Sequence, residues 1–236
     1  LGAMKNLESE AGGKSFDQIK QETQNKWEKE LSCIEFEAEE DTKFVFYTAL
    51  YHTLINPSVY QDVDGRYRGI DHSIHQAETG QVNYTVFSVW DTFRAQHPLM
   101  NVIKPSRSTQ FVNSMLNHYC QSVHHALPVW SHMGNENWCM IGYHSVSVVS
   151  DAIAKGLDID KNLALEACVN SANVDYYDGI GEYKKYGYVP LERSGSSASI
   201  TLEYSYDDWT IQQLAQRLNN GSVEKEFASR AMNYQN

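Results

Sequence analysis

Three short runs of this sequence gather carboxylates, imidazoles and aromatic rings closely enough to do chemistry. The first is Trp90-Asp91-Thr92-Phe93-Arg94, followed by His97. A carboxylate at Asp91 can accept hydrogen bonds from two sugar hydroxyls while the Trp90 ring packs on C–H groups. Arg94, on the same helical side, would keep that carboxylate ionised and oriented. The competing reading is an acidic helix cap, because Asp91 falls where an extended segment turns into a helix. The second run reads from Trp130 to His144 and contains His132, Gly134, Glu136, Asn137, Trp138 and Cys139. Gly134 permits a tight turn, and Glu136 near a helix N-terminus is electrostatically favoured. Here too a cap beside an aromatic core competes with a binding role. His132, Cys139 and His144 have the spacing of no common zinc module. The third run is Ser199 to Trp209. Glu203 and Asp207, four residues apart, share a helix face and repel unless a cation, a proton, a sugar or an arginine intervenes. Leu202, Tyr204 and Tyr206 crowd Glu203, so a solvated surface acid is a poor reading there, whereas Asp208 reads as one.

Composition narrows the classes. Nineteen basic against 30 acidic residues leave a net charge of −11, which repels phosphate and disfavours nucleic acid or an anionic membrane as partner. No Gly-rich phosphate loop, G-x-S-x-G elbow or H-E-x-x-H string occurs, so nucleotide enzymes, α/β-hydrolases and zincins fall away. Cys33, Cys120, Cys139 and Cys168 form no C-x-x-C pair and no disulfide framework, and are expected as small buried thiols. No apolar run approaches the roughly 20 residues of a membrane span. The first residues carry no signal-peptide pattern.

The elements that must position these side chains are mainly helices. Ser15 and Gln18 form a capping box that opens a helix carrying Phe16, Ile19, Trp27, Leu31 and Ile34. A second helix is expected over 42–55, ending before Pro57. Asp64-Gly65 between β-forming stretches signals a hairpin, and Asp62-x-Asp64-Gly65 lacks the later ligands of a calcium-binding EF-hand, so a plain turn is favoured. An extended segment over 84–90 should enter Asp91. Helices are then expected over 92–101, interrupted at Pro98, and over 106–124. A long one over 137–155 would be stopped by Gly156. Asp160 should cap the next, residues 176–188 read as a loop, and the last helices span 200–218 and 223–234. Several are apolar on two faces, which suits a two-layer ring of paired helices better than a simple bundle.

Together these strings resemble the bacterial α-mannosidases of glycoside hydrolase family 92. The matching stretches are Phe46 to Tyr51, Tyr67-Arg68-Gly69, Trp90 to Arg94 with His97-Pro98-Leu99, Asn135 to His144, Thr201 to Tyr204, and Asp207-Asp208-Trp209. The resemblance implies an all-α fold class, part of an (α/α)6 barrel or helical toroid, with a short β-hairpin insertion. Residues 1–14 would then connect to a β-sandwich, and 15–236 would be the N-terminal part of the catalytic domain. It also implies exo-acting, inverting, calcium-dependent hydrolysis of terminal α-linked mannose, α-1,2 by preference. The partners would be a mannose-containing glycan and the rest of the same polypeptide, in a periplasmic, secreted or surface location.

Inversion needs a carboxylic acid and a carboxylate base about 6.5–9.5 Å apart. In the family these lie in E-G-N-x-W-Q-Y-like and G-N-D-D-like strings, with a G-N-E-P-like mannose-binding string between them. None occurs after Trp209, and Gly134-Asn135-Glu136-Asn137 belongs to an earlier motif. The catalytic pair, and the calcium ligands for the most part, are therefore expected outside this chain, which alone should not turn over substrate. Asp91 is carried over as a ligand of the terminal mannose. Trp90, Arg94, Glu136, His144 and Glu203 are expected to line or brace the cleft, with Asp91, Glu136 and Glu203 facing one concavity. Two alternatives stand beside this: another helical-toroid carbohydrate enzyme using Glu136 or Asp91 as acid or base, and a non-catalytic helical binding scaffold.

Overall fold

The computed structural model describes residues 2–236. Helix α1 (Gly2–Ala11) occupies the stretch expected as a connection, buries none of its residues, and is tied to the turn at 62–64 through Asn6 and Lys5. Helix α2 (Phe16–Leu31) starts at the Ser15/Gln18 capping box, and α3 (Glu40–Thr53) follows. Trp27 packs on Tyr51 with ring centroids 4.6 Å apart. Glu30 of α2 reaches across to Lys104 and Arg107, at 2.9 and 2.8 Å.

Short strands come next: β1 (Ser58–Val59), β2 (Arg66–Arg68), β3 (Ile74–Gln76), β4 (Tyr84–Thr85) and β5 (Phe87–Ser88). Asp62 to Gly65 is a turn, with Gly65 at φ 80°, but the hairpin lies one step later than expected, as β2 pairs with β3 in Tyr67↔His75 register. β1 pairs instead with β4, bringing Val59 opposite Tyr84.

The helix expected over 92–101 is two pieces, α4 (Val89–Thr92) and α5 (Gln96–Ile103). The break lies at 93–95. Pro98 is inside the first turn of α5, where its missing N–H would have had no helical partner. Helix α6 (Pro105–Gln121) likewise begins with proline. Strands β6 (Trp130–His132) and β7 (Asn135–Glu136) then join β5 in a three-stranded sheet of order β5-β6-β7.

The expected long helix over 137–155 is only α7 (Ser145–Ala154). Trp138 at φ 51°, Met140 at φ 70° and Gly142 at φ 84° hold the preceding loop in left-handed conformations that a helix cannot continue. Helix α8 (Lys161–Ser171) is capped by Asp160, whose side chain accepts from the Asn162 and Leu163 backbone N–H groups. The stretch 176–188 is not all loop, since it contains α9 (Ile180–Tyr186), anchored by the buried Ile180 and Tyr183. Helices α10 (Ser197–Arg217) and α11 (Gly221–Ala231) and a closing 3-10 turn (Met232–Gln235) complete the chain.

Helix α10 packs against α7, α8 and α11. Ile200, Tyr204, Ile211 and Leu214 carry its apolar contribution to the core, and Ala164, Ala167 and Ala172 allow close approach around α8. On the opposite side of α10, Leu202, Tyr206 and Trp209 are exposed, at i, i+4 and i+7. Asp208 corrects the sequence reading. It is fully buried rather than solvated, bound by the Tyr143 and Tyr183 hydroxyls at 2.7 and 2.9 Å and by Arg230 Nε at 3.0 Å. Burial pushes its carboxyl up to about 6 against the opposing pull of Arg230 and the two tyrosines. All four cysteines are free, and only Cys168 is buried. Among the described residues no helix is long and apolar enough to cross a membrane.

Candidate active-site cleft

His144 is the centre of the polar cluster. It stands just before α7, and its ring stacks on Phe93 with centroids 4.1 Å apart and planes 13° from parallel. Nδ1 meets Asp207 Oδ1 at 2.7 Å. Nε2 lies 3.0 Å from Glu203 Oε2, off the straight line of a strong hydrogen bond, so this contact is an ion pair first. Glu203 and Asp207 therefore share a face of α10, as their spacing requires, and an imidazolium separates them. Burial alone would lower the His144 pKa. The two carboxylates outweigh it and raise the value to about 9, so the ring is charged at neutral pH. The His144 contact is the leading cause that holds Glu203 below the ordinary glutamate range, helped by the Trp90 indole and the Arg94 guanidinium.

Gly142 shapes this contact. A Cβ there would lie 2.4 Å from His144 Nε2, and its φ of 84° belongs to glycine. Asp207 is fixed from a second side, its Oδ2 accepting the Tyr143 backbone N–H at 2.8 Å.

Trp90, Arg94, His144 and Glu203 are thus brought together. The Arg94 guanidinium lies 5.0 Å above the Trp90 ring and donates to the Trp90 carbonyl at 3.1 Å. It does not pair with Asp91, the partner its spacing suggested, because the helix stops at Thr92 and Arg94 folds back over the indole. Asp91 does not cap α4 either. It is exposed within that single turn and accepts the Ser88 hydroxyl, leaving the rest of its carboxylate open.

Glu136 takes a different place. Its buried carboxylate accepts backbone N–H bonds from Val129 at 3.0 Å, Trp130 at 2.8 Å and Trp138 at 3.0 Å. Burial raises its pKa, and these N–H groups oppose the rise. His118 is 3.7 Å away, but burial holds its imidazole down to about 4 and so neutral at pH 7. Glu136 fixes β6. In turn Trp130 of β6 pairs with Ser88, whose hydroxyl holds Asp91. It therefore braces the Asp91 turn from behind rather than facing the Glu203 cluster. Asp207 was the residue the sequence left without a site role. The signal for it was the i,i+4 pairing with Glu203, and the missing information was that His144 enters between them.

A hollow of about 290 Å³ is lined by Phe93, Arg94, Asp151, Tyr206 and Trp209 among others; it meets the cluster only at Phe93 and Arg94, and Trp90, Asp91, His144 and Glu203 do not line it. No three His, Cys, Asp or Glu side chains converge as a metal site among the described residues, so the weak zinc triple of His132, Cys139 and His144 is not assembled.

A largely helical chain with a carboxylate–imidazolium–carboxylate row beside exposed aromatic rings fits a polyhydroxyl ligand. Comparison with known proteins gives the particular family. The family model for the glycosyl hydrolase family 92 catalytic domain matches residues 2–236, and the chain belongs to that family. The structure is similar to that of a family GH92 α-mannosidase from Bacteroides thetaiotaomicron, solved with mannoimidazole, at 44% identity and a TM-score of 0.95, covering 99% of this chain and 31% of that one. It is also similar to a family GH92 inverting mannosidase from Bacteroides thetaiotaomicron VPI-5482, at 31% identity and TM-score 0.90, covering 99% of this chain and 33% of that one. A curated relative from Arthroderma benhamiae, described as an uncharacterized secreted glycosidase, is 24% identical over 256 residues, covering 99% of this chain and 28% of the relative. The chain thus spans about a third of the length of the proteins it matches, and its helices are part of a helical toroid.

Proposed function

We propose that the full polypeptide carrying this chain is an exo-acting α-mannosidase, and that residues 90–94, 144 and 203 form part of the pocket for the terminal mannose. The observation that carries this reading is the unspent hydrogen-bonding capacity around Glu203. The carboxylate is held ionised by His144, its side chain is a quarter exposed, and it stands beside the Trp90 indole and the Arg94 guanidinium. Sugar hydroxyls donate hydrogen bonds, so the open side of the Glu203 carboxylate can accept one. Asp91 supplies a second open acceptor one residue from Trp90. Trp90 and Arg94 line the cleft, and Glu136 braces it.

Hydrolysis with inversion would draw its acid and base from polypeptide outside residues 2–236. Within them, Glu203 is occupied by His144, Asp207 is sealed, and Glu136 is saturated with backbone N–H bonds. Calcium is proposed with its ligands mostly outside this chain. A preference for α-1,2 linkages is part of the same proposal. So is a periplasmic or secreted location, which the fungal relative's description supports.

The test is the full polypeptide acting on an α-1,2-linked mannobiose, followed by proton NMR. Release of mannose whose first-formed anomer is β, abolished by a calcium chelator and restored by added calcium, is the expected result. No release of mannose from any α-mannoside would reject the function; α-anomer product would reject inversion, and indifference to chelation would reject the calcium.

A further inference from the structure

Asp207 has no freedom to touch a ligand. It is fully buried on α10, with one oxygen on His144 Nδ1 at 2.7 Å and the other on the Tyr143 N–H at 2.8 Å. Yet a buried carboxylate on an imidazole fixes both the tilt of the ring and its protonation. The opposite nitrogen of that ring lies 3.0 Å from Glu203, whose side chain is a quarter exposed. Phe93 removes the remaining freedom by stacking on the ring. We propose that Asp207 and His144 are a positioning pair, which holds the Glu203 carboxylate ionised, with one oxygen tied to His144 and the other turned to accept a hydroxyl of the terminal sugar. The claim rests on the sugar-pocket reading above and assigns a role that the pocket lining alone does not give to Asp207.

The pair is insulated. The charged and titratable groups that face it are Glu203, Tyr204 and Tyr206 from α10, Arg94 from beyond α4, Tyr143 beside His144, Cys168 from α8 and Tyr177 from the segment before α9, and burial keeps the Cys168 thiol and the tyrosine hydroxyls protonated. Tyr206 is held by Ser147 of α7 at 3.1 Å. Asp207 is the partner of Nδ1, and none of these groups shares that nitrogen.

A merely structural ion pair and a positioning pair differ in what its removal moves. In the full polypeptide, imidazole NMR of His144 should show a charged ring up to about pH 9, whereas in Asp207→Asn the titration should fall by at least a unit. Steady-state kinetics of Asp207→Asn on an α-mannoside should show a KM raised about tenfold with kcat changed much less, and a new loss of affinity as pH rises through the lowered His144 pKa. His144→Gln, which keeps a neutral donor in place of the charge, should raise KM similarly at every pH. An unmoved His144 titration in Asp207→Asn overturns the proposal. So does a fall in kcat with KM and pH profile unchanged, in either variant. If the wild-type polypeptide releases no mannose, the function fails separately, and the His144 titration still decides the pairing.

Discussion

At the scale of single residues, charge and burial do most of the work. His144 holds its proton because two carboxylates flank it. Since its folded pKa of about 9 exceeds the 6.5 of an unfolded histidine, the stability it contributes is complete below about pH 6.5 and is lost as pH rises through about 9. Urea unfolding between pH 6.5 and 9 should therefore show a falling midpoint, with a slope of at most about 1.4 kcal/mol per pH unit from this one proton. His144→Gln should remove that slope, and a wild-type midpoint that stays flat or rises would show that the ring is not charged. Much at this scale was legible beforehand. The carboxylate spacing at Glu203 and Asp207 placed both on one face, and the crowding of Glu203 by aromatic neighbours argued against a solvated acid. The identity of the intervening group was not legible, since nothing in local spacing tells that a histidine some sixty positions earlier folds between them. Asp208 was misread for a related reason. Its partners Tyr143, Tyr183 and Arg230 come from three distant segments, and Arg230 also reaches the Ala172 carbonyl at 2.9 Å.

At the scale of elements, the local signals with a physical mechanism survived best. The Ser15/Gln18 box, the Asp160 cap and the Gly156 stop, at φ 83°, each act within a few residues and lie where the sequence puts them. Periodicity misled where tertiary contacts override it. Residues 137–144 have helical spacing of apolar side chains, but Gly142 must turn left-handed to bring His144 against Glu203 and to leave room for the ring. Gly142→Ala should therefore cost roughly 1–3 kcal/mol from backbone strain and displace the imidazole. Thermal melts read the first effect, and the loss of the raised His144 titration reads the second. An alanine variant as stable as wild type with an unaltered His144 would show that this turn does not shape the site. In contrast α7 forms from Ser-Val-Ser-Val-Val-Ser, a poor helical composition, because nearly all of it is buried and its serines find carbonyl or hydroxyl partners, as Ser150 does at Thr210.

For the whole molecule, the all-α architecture could be inferred from apolar residues on two helix faces. Helix α10 shows why that pattern appears. Ile200, Tyr204, Ile211 and Leu214 pack inward, while Leu202, Tyr206 and Trp209 form a second apolar stripe on the outside. The three expected sugar-facing acids did not all converge. Glu203 joins the His144 cluster, Asp91 stays open on the neighbouring turn, and Glu136 is committed to the sheet that carries that turn. On the proposed reading this division separates gripping the sugar from breaking the bond, and steady-state hydrolysis of an aryl α-mannoside by the full polypeptide carrying Asp91→Asn or Glu203→Gln tests it most directly. Each variant should raise KM by tenfold or more while keeping measurable turnover and both limbs of the wild-type pH–rate profile. Turnover abolished at unchanged KM, with one limb of the profile lost, would make that residue the acid or base and contradict the account.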